Sequence, residues 1–187
     1  IAIGDFDGDG VQDLAVANTA SDDVSVLLGL GDGAFAAEQR FYTGDRPRSV
    51  AVGDFDKDGH QDLAVTIYFD GAVCIYSGTG DGSFGIAPTY DVGDYPRSVA
   101  VGDFNEDGHQ DLAVTINGVA VLMGNGDGSF QAPAYYDAGD WPPSVAIGDF
   151  DEDGHHDLAI ANYNIDNVGI LLGNGDGSFQ EAAFYVA

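Results

Sequence analysis

The chain has 187 residues, a formal net charge of −27 with only 5 Lys plus Arg, 44% hydrophobic residues, 28 glycines and one cysteine. That length holds one domain with a real core, and the charge excludes binding to nucleic acid or an anionic membrane through a basic surface. The lone Cys74 excludes an intrachain disulfide and reads as a buried structural thiol, and no apolar run is long enough to cross a membrane.

The chain opens inside a repeat, with Ile1 aligning with Val50. The nonapeptide Asp5–Asp13 (DFDGDGVQD) follows and returns at Asp54 (DFDKDGHQD), Asp103 (DFNEDGHQD) and Asp149 (DFDEDGHHD). Each copy carries acidic or amide oxygens at its first, third, fifth and ninth positions and Gly at the sixth. These are Asp5, Asp7, Asp9 and Asp13; Asp54, Asp56, Asp58 and Asp62; Asp103, Asn105, Asp107 and Asp111; and Asp149, Asp151, Asp153 and Asp157. Four carboxylates in nine residues repel one another unless a cation lies between them. Oxygen-only donors on a tight loop suit a hard ion such as calcium, which takes six to eight oxygens in flexible geometry. An EF-hand is excluded, because its twelfth position should be a bidentate Glu and here it is Val16 in an apolar strand-like run. Dockerin loops lead into helices and nonapeptide calcium repeats recur every nine residues, so neither fits.

After each loop comes an apolar run, Leu14-Ala15-Val16 in the first copy. A second apolar run ends in Gly29-Leu30-Gly31-Asp32-Gly33-Ala34-Phe35. In the second unit the spacing predicts strand A at Ser49–Gly53, B at Asp62–Thr66, C at Val73–Tyr76 and D around Ile86–Tyr90. Strands A to C are almost continuously apolar, as in a sheet covered on both faces. The Gly-Asp-Gly segments supply the C–D turns, because Gly tolerates positive φ. The third unit is three residues shorter, and Asn117-Gly118 there predicts a two-residue hairpin. No segment has helical periodicity. Phe6, Phe55, Phe104 and Phe150, with the Phe that closes each Gly-Asp-Gly motif, recur in phase and read as core.

A four-stranded sheet repeated in tandem predicts an all-β chain, a β-propeller of four-stranded antiparallel blades with four blades present. The blades are residues 1–46 (first strand truncated), 47–95, 96–141 and 142–187, forming one propeller domain or part of one. A β-helix would use shorter units.

Phe-x-x-Asp-Gly-x-x-Asp-Leu followed by Gly-Asp-Gly-x-Phe resembles the FG-GAP/VCBS repeat, the blade of integrin α-subunit heads, over the whole chain. The resemblance implies one calcium ion in the A–B loop of each blade, about four per chain. The ligands would be the acidic and amide side chains named above, with the backbone carbonyls of Val11, His60, His109 and His155. Asn105 keeps an oxygen but loses a charge, so the third site should be the weakest. Four ions would bring the net charge from −27 to about −19. Propellers of this family usually have seven blades. Four blades would close alone, a homo-oligomer would build a larger ring, or further blades of a longer protein would complete it.

In such a blade the B–C and D–A loops share one face. The D–A links keep a Gly-Asp-x-Pro frame in which one position varies, as Arg46, Tyr95 and Trp141. The B–C links vary too, and carry Tyr68 and Tyr163. These five residues are the candidate ligand face for a glycan or protein partner, since Trp, Tyr and Arg dominate contact energies. The alternative is ordinary surface variation, with Trp141 against Pro142. No nucleophile elbow, His-x-x-x-His pair or phosphate loop points to catalysis. His60, His109 and His155 occupy one repeat position and His156 stands next to it. The expected function is an extracellular calcium-binding adhesion or recognition module. A purely structural segment of a surface assembly or a polysaccharide-active enzyme are the alternatives. Millimolar calcium outside cells argues for secretion or surface display.

Overall fold

A computed structural model describes residues 1–186, the side chain of Ala87 excepted. It is all β: sixteen strands form four antiparallel four-stranded meanders. The first sheet is β1 (Ala2–Gly4), β2 (Asp13–Asn18), β3 (Asp23–Leu27) and β4 (Gln39–Tyr42). The second is β5 (Pro47–Gly53), β6 (Asp62–Ile67), β7 (Ala72–Gly78) and β8 (Phe84–Asp91). The third is β9 (Val99–Gly102), β10 (Asp111–Ile116), β11 (Gly118–Leu122) and β12 (Ala134–Tyr136), and the fourth β13 (Ser144–Gly148), β14 (Asp157–Asn162), β15 (Asn167–Leu171) and β16 (Ala183–Val186). The apolar runs form the two central strands of each sheet, and every residue of β6 and β11 is buried.

The core lies between sheets. One apolar cluster joins sheets one and two through Val24, Val26, Leu63 and Val65, a second joins two and three, and a third joins three and four. Each interface carries the same three-ring motif. Phe6 meets Phe84 edge-on at 5.5 Å and Phe84 meets Phe41, also at 5.5 Å. Phe55, Phe130 and Tyr90 repeat it, and so do Phe104, Phe179 and Tyr136. Thus the loop Phe of one blade seats on the turn Phe of the next.

This rule corrects the expectation that every in-phase Phe is core. Phe6, Phe55 and Phe104 are 2% exposed, but Phe150 is 49% and Phe35 is 39% exposed. Among the described residues no turn Phe of another blade packs on Phe150, and no loop Phe on Phe35. No core cluster among the described residues joins the first sheet to the fourth.

Two further expectations meet the structure. Cys74 is buried, its thiol 3.6 Å from the Thr43 carbonyl. The β10–β11 link is tighter than a two-residue hairpin: Ile116 pairs with Gly118, leaving Asn117 alone at the tip. Only Gly118 has a positive φ, of 112°, where a type I′ turn would need it at both central residues.

The interface rule can be measured by denaturant unfolding in calcium. Phe55→Ala is expected to cost about 3–5 kcal/mol, as large-to-small core changes do, and Phe150→Ala less than about 1 kcal/mol. Equal costs would overturn it.

Candidate metal centre

Each nonapeptide is wound by its own carboxylates. The first-position Asp accepts the sixth-position amide, as Gly10 to Asp5 at 3.0 Å and Gly154 to Asp149 at 3.0 Å. The third-position side chain accepts the fifth-position amide, and the fifth accepts the seventh, as Val11 to Asp9 at 2.7 Å and His60 to Asp58 at 2.8 Å. The sixth-position glycines have φ between 79° and 93°, the left-handed region closed to most side chains. Lys57, Glu106 and Glu152, at the fourth position, adopt it too, at 57–61°.

The ninth-position Asp does more than its spacing suggests. Asp13 accepts the Phe6 amide on one oxygen and the Gly29 amide on the other, both at 2.7 Å. Asp62, Asp111 and Asp157 do the same with Phe55 and Gly78, Phe104 and Gly124, and Phe150 and Gly173. All four are buried. The A–B loop is thereby tied to the C–D turn. A Cβ on Gly29, Gly78, Gly124 or Gly173 would strike the carbonyl of the eighth loop residue, so the first Gly of each Gly-x-Gly-Asp-Gly motif is needed for close approach.

Donor atoms converge in three of the loops. Asp5, Asp7 and Asp13 each offer an oxygen within 4.8 Å of the others, as do Asp54, Asp56 and Asp58, and Asp149, Asp151 and Asp157. In the third loop Asn105 replaces one acid and donates to Asp107 at 2.9 Å, and among the described residues its remaining acids form no such trio. The second oxygens of Asp5 and Asp54 are buried with no hydrogen-bond partner. A buried bare carboxylate oxygen is costly, and a hard cation is the partner this donor set fits. Asp9, Asp107 and Asp153 are engaged in winding the loop. Val11, His60, His109 and His155 use their amides the same way, and the three imidazoles lie against Gly80, Gly126 and Gly175 of the C–D turns.

A neighbouring blade completes each of the first three loops. The Gln61 side chain accepts the Asp5 amide at 2.8 Å, Gln110 accepts that of Asp54 at 2.7 Å, and His156 Nδ1 lies 3.0 Å from the Asp103 carbonyl. Gly82, Gly128 and Gly177 donate to the carbonyls of Phe6, Phe55 and Phe104. His155 Nδ1 also meets Glu106 at 2.5 Å, and this contact raises the imidazole pKa. Sequence reading missed this inter-blade set, whose one signal was Gln, Gln, Gln and His at the eighth position.

The opposite end gathers the variable residues. The B–C turns and D–A links bond to one another there, as Tyr68 to the Arg46 carbonyl at 3.1 Å. Arg46, Tyr95 and Trp141 all have positive φ, 60°, 58° and 54°. Each is a strained non-Gly residue projected from a loop. Arg46 stacks on Phe69 at 4.9 Å, Arg48 on Tyr68 at 4.5 Å, and Arg97 lies between Tyr68 at 5.4 Å and Trp141 at 4.0 Å. Tyr68 also meets Tyr95 at 5.1 Å. One correction follows. Tyr68, at 8% exposed, is the floor of this cluster because arginines cover it, and Phe69, at 50%, is exposed in its place. Trp141 is partnered by Arg97. Tyr163 is 75% exposed and joins no aromatic pair. Arg46, Arg48 and Arg97 form no ion pair among the described residues.

Burial pushes the Asp62 carboxyl up to about 6 from 3.8, against the pull of the Gly78 and Phe55 amides and helped by Asp56 and Asp58. Asp111 is raised for the same reason. The folded state then holds this proton more tightly than the unfolded chain, so the contribution of this group to stability is fully present below about pH 4 and is lost as pH rises through about 6. A shift of about two units is worth about 3 kcal/mol. Asp81, held down to about 2 first by the Ser83 hydroxyl and then by Thr79, titrates below this window. With chelator present, Tm is expected to rise between about pH 7.5 and 5.5; a fall would contradict the assignment.

Comparisons with known proteins agree with this architecture. No curated protein matches the sequence. An Agrocybe aegerita lectin described as recognising non-reducing terminal N-acetylglucosamine is similar over 97% of this chain and 51% of its own, with TM-score 0.68 and 20% identity. The periplasmic gluconolactonase PpgL of Pseudomonas aeruginosa is similar over 97% of this chain and 52% of its own, with TM-score 0.69 and 19% identity. The chain thus spans about half the length of these structures, and at such identities the likeness speaks for a propeller-like fold alone. The model of the FG-GAP-like repeat matches residues 5–65, 55–114 and 115–160. With acidic loop, Gly-Asp-Gly turn and inter-blade joint repeating in phase, the chain belongs to the FG-GAP-like repeat family.

Proposed function

We propose that this chain is a calcium-tied propeller module, displayed outside the cell, that recognises a glycan through the end carrying Arg46, Tyr95 and Trp141. The observation that carries the reading is the separation of the two ends. One repeats the same oxygen-rich loop four times; the other bears three arginines that stack on aromatic rings and form no ion pair among the described residues. Calcium would be held by the trios of the first, second and fourth loops and more weakly by the third. The bare oxygens of Asp5 and Asp54 support this. The ion supplies charge neutralisation and cross-links the loop, and the chain's own residues orient that loop against the next blade. Extracellular display follows from the calcium available there. A glycan is favoured over a protein partner because the cavities at this end, about 260–450 Å³, are of the size that takes small molecules. We infer no reaction: the loop carboxylates serve winding and metal binding, and three of the four histidines lie against glycine turns. The exposed Phe150 and Phe35 support a ring completed by further blades or a second copy.

Two measurements test this. Chelation is expected to lower Tm, with calcium restoring it and magnesium mostly failing to, because magnesium demands strict octahedral geometry and dehydrates reluctantly. An unchanged Tm would remove calcium from the account. On a glycan array in millimolar calcium, wild-type protein is expected to give hits that are lost in the Tyr95→Ala, Trp141→Ala double variant. An empty array would favour the purely structural role.

A further inference from the structure

The shortened turn of the third blade has a consequence for ligand choice. Sheets one, two and four join their central strands through four residues, Thr19–Asp22, Tyr68–Gly71 and Tyr163–Asp166. Sheet three uses Asn117 alone. The missing residues leave a notch of about 260 Å³ above Asn117, walled by Tyr95 and Trp141 and lined by Asp94, Arg97 and Asp140. Its aromatic walls are held by contacts with neighbouring side chains. Tyr95 lies against Tyr68, and Trp141 against Arg97, whose guanidinium also donates to the Tyr68 hydroxyl at 3.3 Å. Tyr95 and Trp141 are half exposed, at 50% and 47%.

The chemistry of this lining is selective. Two aromatic walls suit the C–H faces of a sugar ring, and two carboxylates, an amide and a guanidinium suit the hydroxyls at its edge. The volume lies just below the ~300–1,000 Å³ of pockets for larger ligands, which fits one ring and not a chain. Charge decides between neutral and acidic rings. Asp94 and Asp140 outnumber Arg97 in the notch, and the molecule around it carries −27. An incoming carboxylate therefore meets repulsion both at a distance and on contact. We propose that the notch over Asn117 takes one neutral sugar ring, held between Tyr95 and Trp141 and read through its hydroxyls by Asp94, Asp140 and Asn117. This rests on the reading of this end as a glycan-binding surface. A second cavity, lined by Tyr135, Tyr136 and Asp137, shares Ile116 and Asn117 with the notch and would take the rest of an oligosaccharide.

The test uses immobilised pairs of glycans that end either in a neutral hexose or in the same hexose carrying a C6 carboxylate, in millimolar calcium. The neutral member is expected to bind on the order of ten-fold tighter or more, and an Asp94→Asn, Asp140→Asn double variant to narrow that gap. Replacing Asn117 by the Tyr68–Gly71 segment should close the notch and abolish binding, with Tm in calcium checking the fold. Asn117→Trp, which fills the notch with one side chain, gives the same readout should the graft not fold. Equal or tighter binding of the acidic member, or wild-type binding by both notch-filling variants, would overturn the inference while leaving glycan recognition standing. Absence of binding to any glycan would overturn both.

Discussion

Four buried carboxylates hold this molecule in register. Asp13, Asp62, Asp111 and Asp157 each take one amide from their own loop and one from the turn after strand C. Such an acid is isolated from water, and two donated hydrogen bonds compensate for the burial. The compensation is incomplete for Asp62, whose carboxyl is pushed up to about 6. The same bonds fix where the remaining loop oxygens point, so the anchor, the convergence of donor atoms and the approach of the glycine turn are one arrangement. Removing the anchor would release the loop from its own blade and from the next.

The two ends of the blades obey different constraints. At the acidic end the recurring residue types have structural roles: oxygen donors wind the loop, glycines occupy left-handed positions, and the Phe of the first three loops enters the inter-blade core. At the other end the backbone frame is equally fixed, since Arg46, Tyr95 and Trp141 share one left-handed conformation. The side chain itself is free to differ there. A rigid scaffold with a variable projecting residue is the usual place for recognition chemistry. The arginines of this surface have no carboxylate partner within salt-bridge distance among the described residues and use aromatic faces instead.

Much of this was legible in the chain. Fixed spacing of acidic residues, in phase with Gly-Asp-Gly turns and apolar runs, was enough for four antiparallel sheets and the place of each loop, because these features act within one repeat. What escaped depends on neighbours. The burial of Phe55 and the exposure of Phe150 arise from the same Gly-Asp-Phe-Asp stretch and differ in whether a turn Phe of another described blade packs on the ring. The roles of Gln61 and Gln110 lie across an interface, 56 residues from the amides they receive. Tyr68 reads as a surface aromatic, and only the fold lays two arginines over it. Asn117-Gly118 suggested a common hairpin, yet strand pairing continues to Gly118, because glycine accepts the φ that continuation demands.

The joint between blades has a further meaning. At the three interfaces one unit offers a socket at its acidic loop, the Phe carbonyl with the amide or carbonyl of the first Asp, and the next unit a plug, the Gln or His side chain and the last turn glycine. A tandem duplication of such a gene segment delivers both halves of the connection together, with no compensating change elsewhere. Arrays of this kind can therefore gain or shed a member in a single genetic event, while the residues at the opposite end vary independently.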